Sequence, residues 1–274
     1  MNPLPNPARR HILLALASLP LTGVARAAGP KPGEIGMLEA INQAGRQRML
    51  SQRMAKLYAQ QVRGVRASDA QALMSSSISL FDSQLDTLRR LATSRNAGDI
   101  VQTYDKLSAG WRDYRQVVSA PANPDGLLAI ASLNEQVLAT AHQGTLQLER
   151  LNGSSLGKLV NLAGRQRMLS QRMSKFYFFI ANGMDNAEVR KGLEASRSEF
   201  IAAMQTLKRA PESADRVQSW ITLAESQWVF FDEAIRSGRS KRSELDYLDN
   251  NVAVSSENIL QVMDKLTELY ATSS

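Results

Sequence analysis

Residues 44–54 and residues 163–173 carry the same string, AGRQRMLSQRM, at a separation of 119 residues. Residues that match at the same offset outside the string are Asn42 with Asn161, Lys56 with Lys175, Tyr58 with Tyr177, Phe81 with Phe200 and Leu88 with Leu207. Trp111 with Trp228 and Tyr114 with Phe231 follow at an offset of 117. A unit of this size exceeds the ~20 to 50 residues of a solenoid repeat and matches a small domain. The chain is therefore predicted to contain two tandem copies of one domain.

Apolar residues recur at three- and four-residue spacing along both halves, which predicts an all-α fold. The expected helices cover residues 34–64, 69–93, 98–119 and 125–152, and then 156–182, 186–209, 214–236 and 243–271. The expected N-caps are Asp69, Asp99, Asp125, Asp185 and Ser213, and the expected core aromatics are Trp111, Tyr114, Trp228 and Phe231. Long helices joined by short loops predict two tandem antiparallel four-helix bundles, as domains at 34–152 and 156–272.

The first 28 residues have the features of an export signal. Arg9 and Arg10 precede an apolar run at 12–24, and Ala-Arg-Ala at 25–27 predicts cleavage near Ala27 and Ala28. The run is shorter than the ~20 residues that span a membrane. The arginine pair also resembles a twin-arginine signal, so the export route stays open. We expect the mature protein to be exported and soluble.

Composition narrows the chemistry. The chain has no cysteine, which excludes disulfides, thiolate chemistry and a lipid-anchoring cysteine. After cleavage His142 is the only histidine, and we find no pattern of a metal site, a cofactor site or a nucleophile with its base. The mature chain has 30 basic and 26 acidic residues without a clustered basic run. We therefore expect neither catalysis nor nucleic-acid binding.

The repeated string, which we call the box, suggests an anion site. On a helix Gly45, Arg48 and Gln52 share one face, within about 60° of one another. Glycine inside a helix costs about 1 kcal/mol relative to alanine, so its presence indicates a close approach of backbone or ligand. Arginines buried in a helix contact need an anion or a carboxylate. Two facing guanidinium groups suit a small planar oxyanion. The equivalent face of the second copy is Gly164, Arg167 and Gln171.

A structural alternative remains open, in which the arginines pair with acidic residues and the box only packs. The box is not cleanly amphipathic, so its helix is expected to have neighbours on more than one side. The box arginines outside the glycine face are expected to pack and pair, and they are Arg46, Arg53, Arg165 and Arg172. The two copies could form one internal site across a pseudo-two-fold axis, or two sites in a homodimer.

With Asn42 and Asn161 ahead of it, the box resembles the signature of the PilJ-type N-terminal domain of type IV pilus methyl-accepting chemotaxis transducers. That domain is similar to the periplasmic sensor of NarX-type nitrate and nitrite kinases. The resemblance implies a periplasmic four-helix bundle that binds an anion between first helices at a two-fold interface. It implies that Arg48 and Arg167 bind the ligand and that the backbones of Gly45 and Gly164 line the site.

The function expected from the residues and the resemblance is that of an exported sensor-type protein for a small oxyanion such as nitrate or nitrite. No second membrane span or kinase follows the second bundle, so we expect no output domain of its own. The alternative is a non-catalytic accessory protein of a membrane-bound sensor or of a type IV pilus or chemotaxis system. In that case the arginine face would bind a partner helix.

Overall fold

The computed structural model describes residues 35–213, 215–238 and 245–273. The predicted export signal and its cleavage site lie outside the described residues. Every regular element in the described residues is an α-helix, which confirms the all-α prediction. The helices are α1 (Met37–Arg63), α2 (Ala67–Ser94), α3 (Gly98–Val118), α4 (Pro124–Asn152), α5 (Ser155–Ala181), α6 (Ala187–Arg209), α7 (Asp215–Gly238) and α8 (Leu245–Ala271).

The eight helices form two antiparallel four-helix bundles, as the repeat predicts. In the first bundle α1 packs on α2 and α4, and α3 packs on the same two helices from the opposite side. The second bundle repeats this arrangement with α5, α6, α7 and α8. The most extensive contact between any two helices joins α1 to α5, so the two bundles share a central pair of helices.

The central helices run parallel to each other. Gly45 lies beside Gly164, and further along Asn182 Nδ2 donates to the Ala59 carbonyl at 3.0 Å. Residue numbers thus rise in the same direction along both helices, and a pseudo-two-fold axis runs between them. In each helix 18 of the 27 residues are buried. This burial confirms that the box helices have neighbours on more than one side.

The aromatic repeat forms the two cores. Phe81 stacks on Trp111 with ring centroids 4.0 Å apart, and Phe200 stacks on Trp228 at 4.5 Å in the second bundle. Tyr114, Phe231, Phe81 and Phe200 are all 0% exposed, and Trp111 is 4% exposed. The prediction that these aromatics pack in the cores is confirmed for Trp111, Tyr114 and Phe231, whereas Trp228 is only partly buried and packs against the core.

The predicted N-caps were wrong for most helices. Asp69, Asp99 and Asp125 lie inside the first turns, where a carboxylate still interacts favourably with the helix dipole. Asp185 pairs with Arg190, and the Ser213 hydroxyl donates to the Leu207 carbonyl at 2.8 Å. The residues whose side chains cap α4, α5 and α6 are Asn123, Ser154 and Asn186.

No helix in the described residues combines the length and apolarity required to cross a membrane.

Phe81→Ala tests the packing of the first bundle. The change removes a fully buried ring that stacks on Trp111, so we expect the free energy of unfolding to fall by about 3 to 5 kcal/mol. Urea denaturation followed by circular dichroism measures the loss. Leu80→Ala is the control, because Leu80 is 39% exposed and should cost much less. Equal losses for both variants would contradict the assignment of Phe81 to the core.

Candidate functional site

The two box arginines of the glycine face meet where α1 contacts α5. A Cβ atom at Gly45 would lie 3.2 Å from Arg48 Nη2 and 3.5 Å from Arg167 Nη2. At Gly164 the corresponding distances are 3.1 Å to Arg167 Nη2 and 3.7 Å to Arg48 Nη2. Both guanidinium groups therefore lie against both glycines. The absence of side chains at these two positions leaves the room that the guanidinium groups occupy.

Each arginine reaches across the pseudo-two-fold axis to the opposite helix. Arg48 Nη2 donates to the side-chain oxygen of Asn161 at 2.7 Å and to its carbonyl at 3.3 Å. Arg167 Nη2 donates to the carbonyl of Asn42 at 3.1 Å. The amide of Asn161 in turn donates to Glu149. The two asparagines ahead of the box thus fix the positions of the guanidinium groups.

The two arginines differ in how their charge is neutralised. Arg167 Nη1 pairs with Asp264 Oδ1 at 2.5 Å, whereas Arg48 Nη1 faces His142 Nδ1 at 3.2 Å. Among the described residues no carboxylate lies within ion-pair distance of Arg48. The Nε atoms of Arg48 and Arg167 are buried without a hydrogen-bond partner in the same set of residues. Arg48 is therefore a fully buried cation with unused donors.

Burial lowers the pKa of both guanidinium groups. Burial, together with the nearby charges of Arg165 and Arg167, lowers the pKa of Arg48 to about 9, although the charges of Glu149 and Glu199 oppose the shift. Burial lowers the pKa of Arg167 to about 10, although Asp264 opposes the shift. Both values lie above 7, so both guanidinium groups carry a charge at neutral pH. A buried charge without a counter-ion is costly, which makes Arg48 the place where an anion would bind most favourably.

The other four box arginines form ion pairs. Arg46 pairs with Asp264 and Arg172 with Glu135, both at 2.9 Å. Arg53 pairs with Glu257 and Arg165 with Glu199. Three of these pairs join helices of different bundles, and the fourth, Arg165 with Glu199, joins α5 to α6. The alternative in which box arginines pair with acidic residues therefore holds for these four arginines and for Arg167, but not for Arg48.

Gln52 and Gln171, which the sequence placed on the glycine faces, form hydrogen bonds with residues other than the two arginines. Gln52 Nε2 donates to Asn134 Oδ1 at 3.0 Å, and Gln52 Oε1 accepts from Lys175 Nζ at 2.8 Å. Gln171 Nε2 donates to the Ser256 carbonyl at 2.9 Å. Neither glutamine hydrogen-bonds an arginine of the glycine face in the described residues. The residues that hydrogen-bond these arginines are Asn42 and Asn161, which precede the box in the sequence.

Two buried lysines were missed by the sequence analysis, although their shared offset was visible. Lys175 pairs with Glu135, and Lys56 pairs with Glu257; both lysines are 0% exposed. Lys175 Nζ also lies 4.1 Å from the centroid of the Phe176 ring. Burial, which Glu135 offsets only in part, lowers the pKa of Lys175 to about 7. These lysines join each box to the fourth helix of the other bundle.

No group of three or more histidine, aspartate or glutamate side chains in the described parts of the chain is arranged to hold a metal ion.

Lys175→Met tests the buried amine through pH. The pKa of Lys175 is about 7 when folded and about 10.4 when unfolded. Between these values the unfolded chain binds more protons, so the contribution of Lys175 to stability improves as pH rises. From pH 7 to 9 the free energy of unfolding of the wild type should rise by about 2 kcal/mol relative to the variant. Urea denaturation at both pH values measures this difference.

Lys208→Met is the control for this experiment, because Lys208 also pairs with a glutamate but its side chain is 44% exposed. The difference between this control and the wild type should stay constant from pH 7 to 9. A constant difference for Lys175→Met as well would contradict the shifted titration of the buried amine.

Comparison with known proteins identifies the repeated unit. The family model described as "Type IV pili methyl-accepting chemotaxis transducer N-term" matches the chain twice, over residues 36–141 and 152–262. Neither a curated protein nor a solved structure matches the chain. The two matches cover most of the chain, and each begins close to the first helix of its bundle. The chain therefore belongs to the PilJ family, whose sensor-type domain it carries as a tandem pair.

Proposed function

We propose that this protein binds a small planar oxyanion, such as nitrate or nitrite, where the two boxes meet. The observation that carries the proposal is Arg48, a buried guanidinium that stays charged and has no carboxylate partner in the described residues. A bound anion would supply the missing negative charge. It would also relieve the repulsion between Arg48 and Arg167, each of which lies within van der Waals reach of the same two glycines.

The shape of the site favours a planar oxyanion over a spherical ion. A guanidinium group presents its N–H donors in a plane, and trigonal oxyanions accept such donors through two oxygens at once. The fixed contacts with Asn161 and Asn42 orient the two groups before any ligand binds. Preorganised donors of this kind lose little conformational entropy on binding.

Family membership supports a sensory role. Domains of this family form the N-terminal part of chemotaxis transducers of type IV pilus systems. We infer that the protein is exported to the periplasm by its N-terminal signal and reports the anion to a membrane-bound sensor or to a pilus component. Ligand binding, without catalysis, is the activity that this role requires.

A second candidate function is that of an accessory protein that binds a partner independently of any anion. The observation that favours it is a pair of large apolar side chains on α7, because Val229 is 64% exposed and Phe230 is 68% exposed. Exposed apolar groups of this size are common at protein interaction sites. Partner binding that does not change when anions are added would favour this function over the sensor.

Arg48→Met tests the anion site. In the wild type, an anion at 100 times its Kd should raise the melting temperature by about 5 to 10 °C. The variant removes a buried charge but keeps similar volume, so it should fold with an unreduced anion-free melting temperature and lose most of the anion-dependent rise. Thermal shifts with nitrate, nitrite and chloride at constant ionic strength measure both quantities. Arg90→Met, which removes a charge from the surface, is the control and should keep the full rise.

Two experimental outcomes would contradict the proposal. The absence of a rise in the wild type with any anion would exclude the sensor function, and a full rise in Arg48→Met would exclude the site.

Gly45→Ala tests the room beside the arginines. The added methyl group would lie 3.2 Å from Arg48 Nη2, so the guanidinium must move by a few tenths of an ångström. Alanine favours the helix by about 1 kcal/mol, which offsets the strain. We therefore expect a nearly unchanged anion-free melting temperature and at least a tenfold weaker anion affinity, about 1.4 kcal/mol. Gly110→Ala is the control, because its Cβ would meet nothing closer than 3.9 Å.

A further inference from the structure

The two halves of the site can be compared atom by atom because α4 and α8 also align as repeats. Glu135 on α4 and Glu257 on α8 each pair with a buried lysine of a box helix. Thr145 and Thr267 each donate to the carbonyl four residues earlier on their helices. All these pairs are separated by 122 residues. At the same offset, the position equivalent to His142 is Asp264.

His142 and Asp264 occupy the same place against the two box arginines. Asp264 Oδ1 lies 2.5 Å from Arg167 Nη1, and His142 Nδ1 lies 3.2 Å from Arg48 Nη1. One half of the pseudo-symmetric pair therefore has a built-in carboxylate, and the other half has an imidazole. Burial, together with the charges of Arg48 and Arg165, lowers the pKa of His142 to about 4. The imidazole is neutral at pH 7 and accepts one N–H of Arg48, but it brings no negative charge to the guanidinium.

The two halves also differ in the helix that supplies a carboxylate to the first arginine of each box. In the first box, Arg46 shares Asp264 with Arg167. Its repeat equivalent, Arg165, pairs instead with Glu199 on α6. The residue equivalent to Glu199 in the first half is Leu80. Arg165 is thus neutralised from α6, while Arg48 forms no ion pair with a carboxylate of α4, whose Glu149 reaches it only through Asn161.

A cavity opens on the His142 side of Arg48. It has a volume of about 300 Å³ and lies between α4, α5 and α6. Its titratable lining consists of His142, three arginines and two carboxylates that pair with two of those arginines: Arg48, Arg165, Arg172, Glu135 and Glu199. Arg48 is itself 0% exposed, whereas His142 at the wall of the cavity is only half-buried, so solvent reaches the cavity at His142. A guanidinium has five N–H donors, and Arg48 uses only the oxygens of Asn161 and the nitrogen of His142 as acceptors.

We propose that the anion site is one-sided: a single anion binds from this cavity to Arg48, beside His142, and supplies the negative charge that the Asp264 carboxylate supplies to Arg167. This inference rests on the proposed function and specifies its ligand. Because a carboxylate already fills the equivalent position, the ligand class is that of planar oxyanions which resemble a carboxylate, namely nitrate, nitrite and short carboxylates such as formate and acetate. Arg167 with Asp264 is the permanently closed half of the site, and the protein binds one anion per chain.

His142→Asp gives the sharpest test, because it builds into the first half the carboxylate that the second half contains. The new carboxylate should pair with Arg48, raise the anion-free melting temperature and exclude a ligand of like charge, with at least about tenfold weaker binding. His142→Asn is the matched control, since it exchanges one neutral acceptor for another and should stay within about threefold of the wild type. Calorimetric titration with nitrate and formate measures affinity and stoichiometry on the full mature chain.

A double variant that exchanges His142 and Asp264 tests whether any loss of binding comes from misfolding. His142→Asp combined with Asp264→His moves the carboxylate to the Arg48 side and should restore binding, now at Arg167. Adding Arg167→Met should abolish this restored binding.

The outcomes separate this inference from the proposed function. Binding in the wild type that survives His142→Asp unchanged, or two equivalent anions per chain, would overturn the one-sided site and leave anion binding in place. No binding of any of these anions to the wild type would overturn the proposed function itself.

Discussion

The parallel contact between α1 and α5 places two guanidinium groups in the middle of the molecule, and the rest of the structure is arranged around their charge. Glycine at the crossing point, at Gly45 and Gly164, leaves the room that the two guanidinium groups occupy. Helices packed on every side leave few free positions, so polar box residues must find partners. Gln47 and Gln166, for example, donate to carbonyls of the neighbouring helices α2 and α6. These equivalent hydrogen bonds show that the same glutamine fills the same surroundings in both boxes.

A tandem repeat can carry different residues in the two copies of a site, which a symmetric homodimer cannot. In a homodimer with two-fold symmetry both copies of a site must carry the same residues. Here the two copies lie in one chain, so one position can hold Asp264 and its equivalent can hold His142. The closed half supplies rigidity through an ion pair, and the open half keeps a buried cation beside a cavity. Duplication followed by divergence can therefore turn a symmetric interface into a site with a direction.

The sequence predicted the parts of the fold that depend on local periodicity. Helix number, approximate helix ends and the buried aromatics such as Trp111 all follow from apolar spacing, and the structure agrees. The N-caps were predicted poorly, because the predicted and observed caps differ by one to three residues, a shift that periodicity does not resolve. Lys56 and Lys175 matched across the repeat, yet nothing local showed that they were buried. Their burial depends on Glu257 and Glu135, each more than 35 residues away along the chain.

What the sequence determined by itself is the duplication, the helical bundles and the presence of arginine and glycine on one helix face. These features are encoded in spacing along a single helix. What only the tertiary structure decided is which arginine remains without a carboxylate. Arg48 and Arg167 are identical in their local sequence, and their difference arises from His142 and Asp264 on helices that pack against them from elsewhere in the chain. Charge balance in a buried site is a property of spatial neighbours, and the packing of α4 and α8 selects those neighbours.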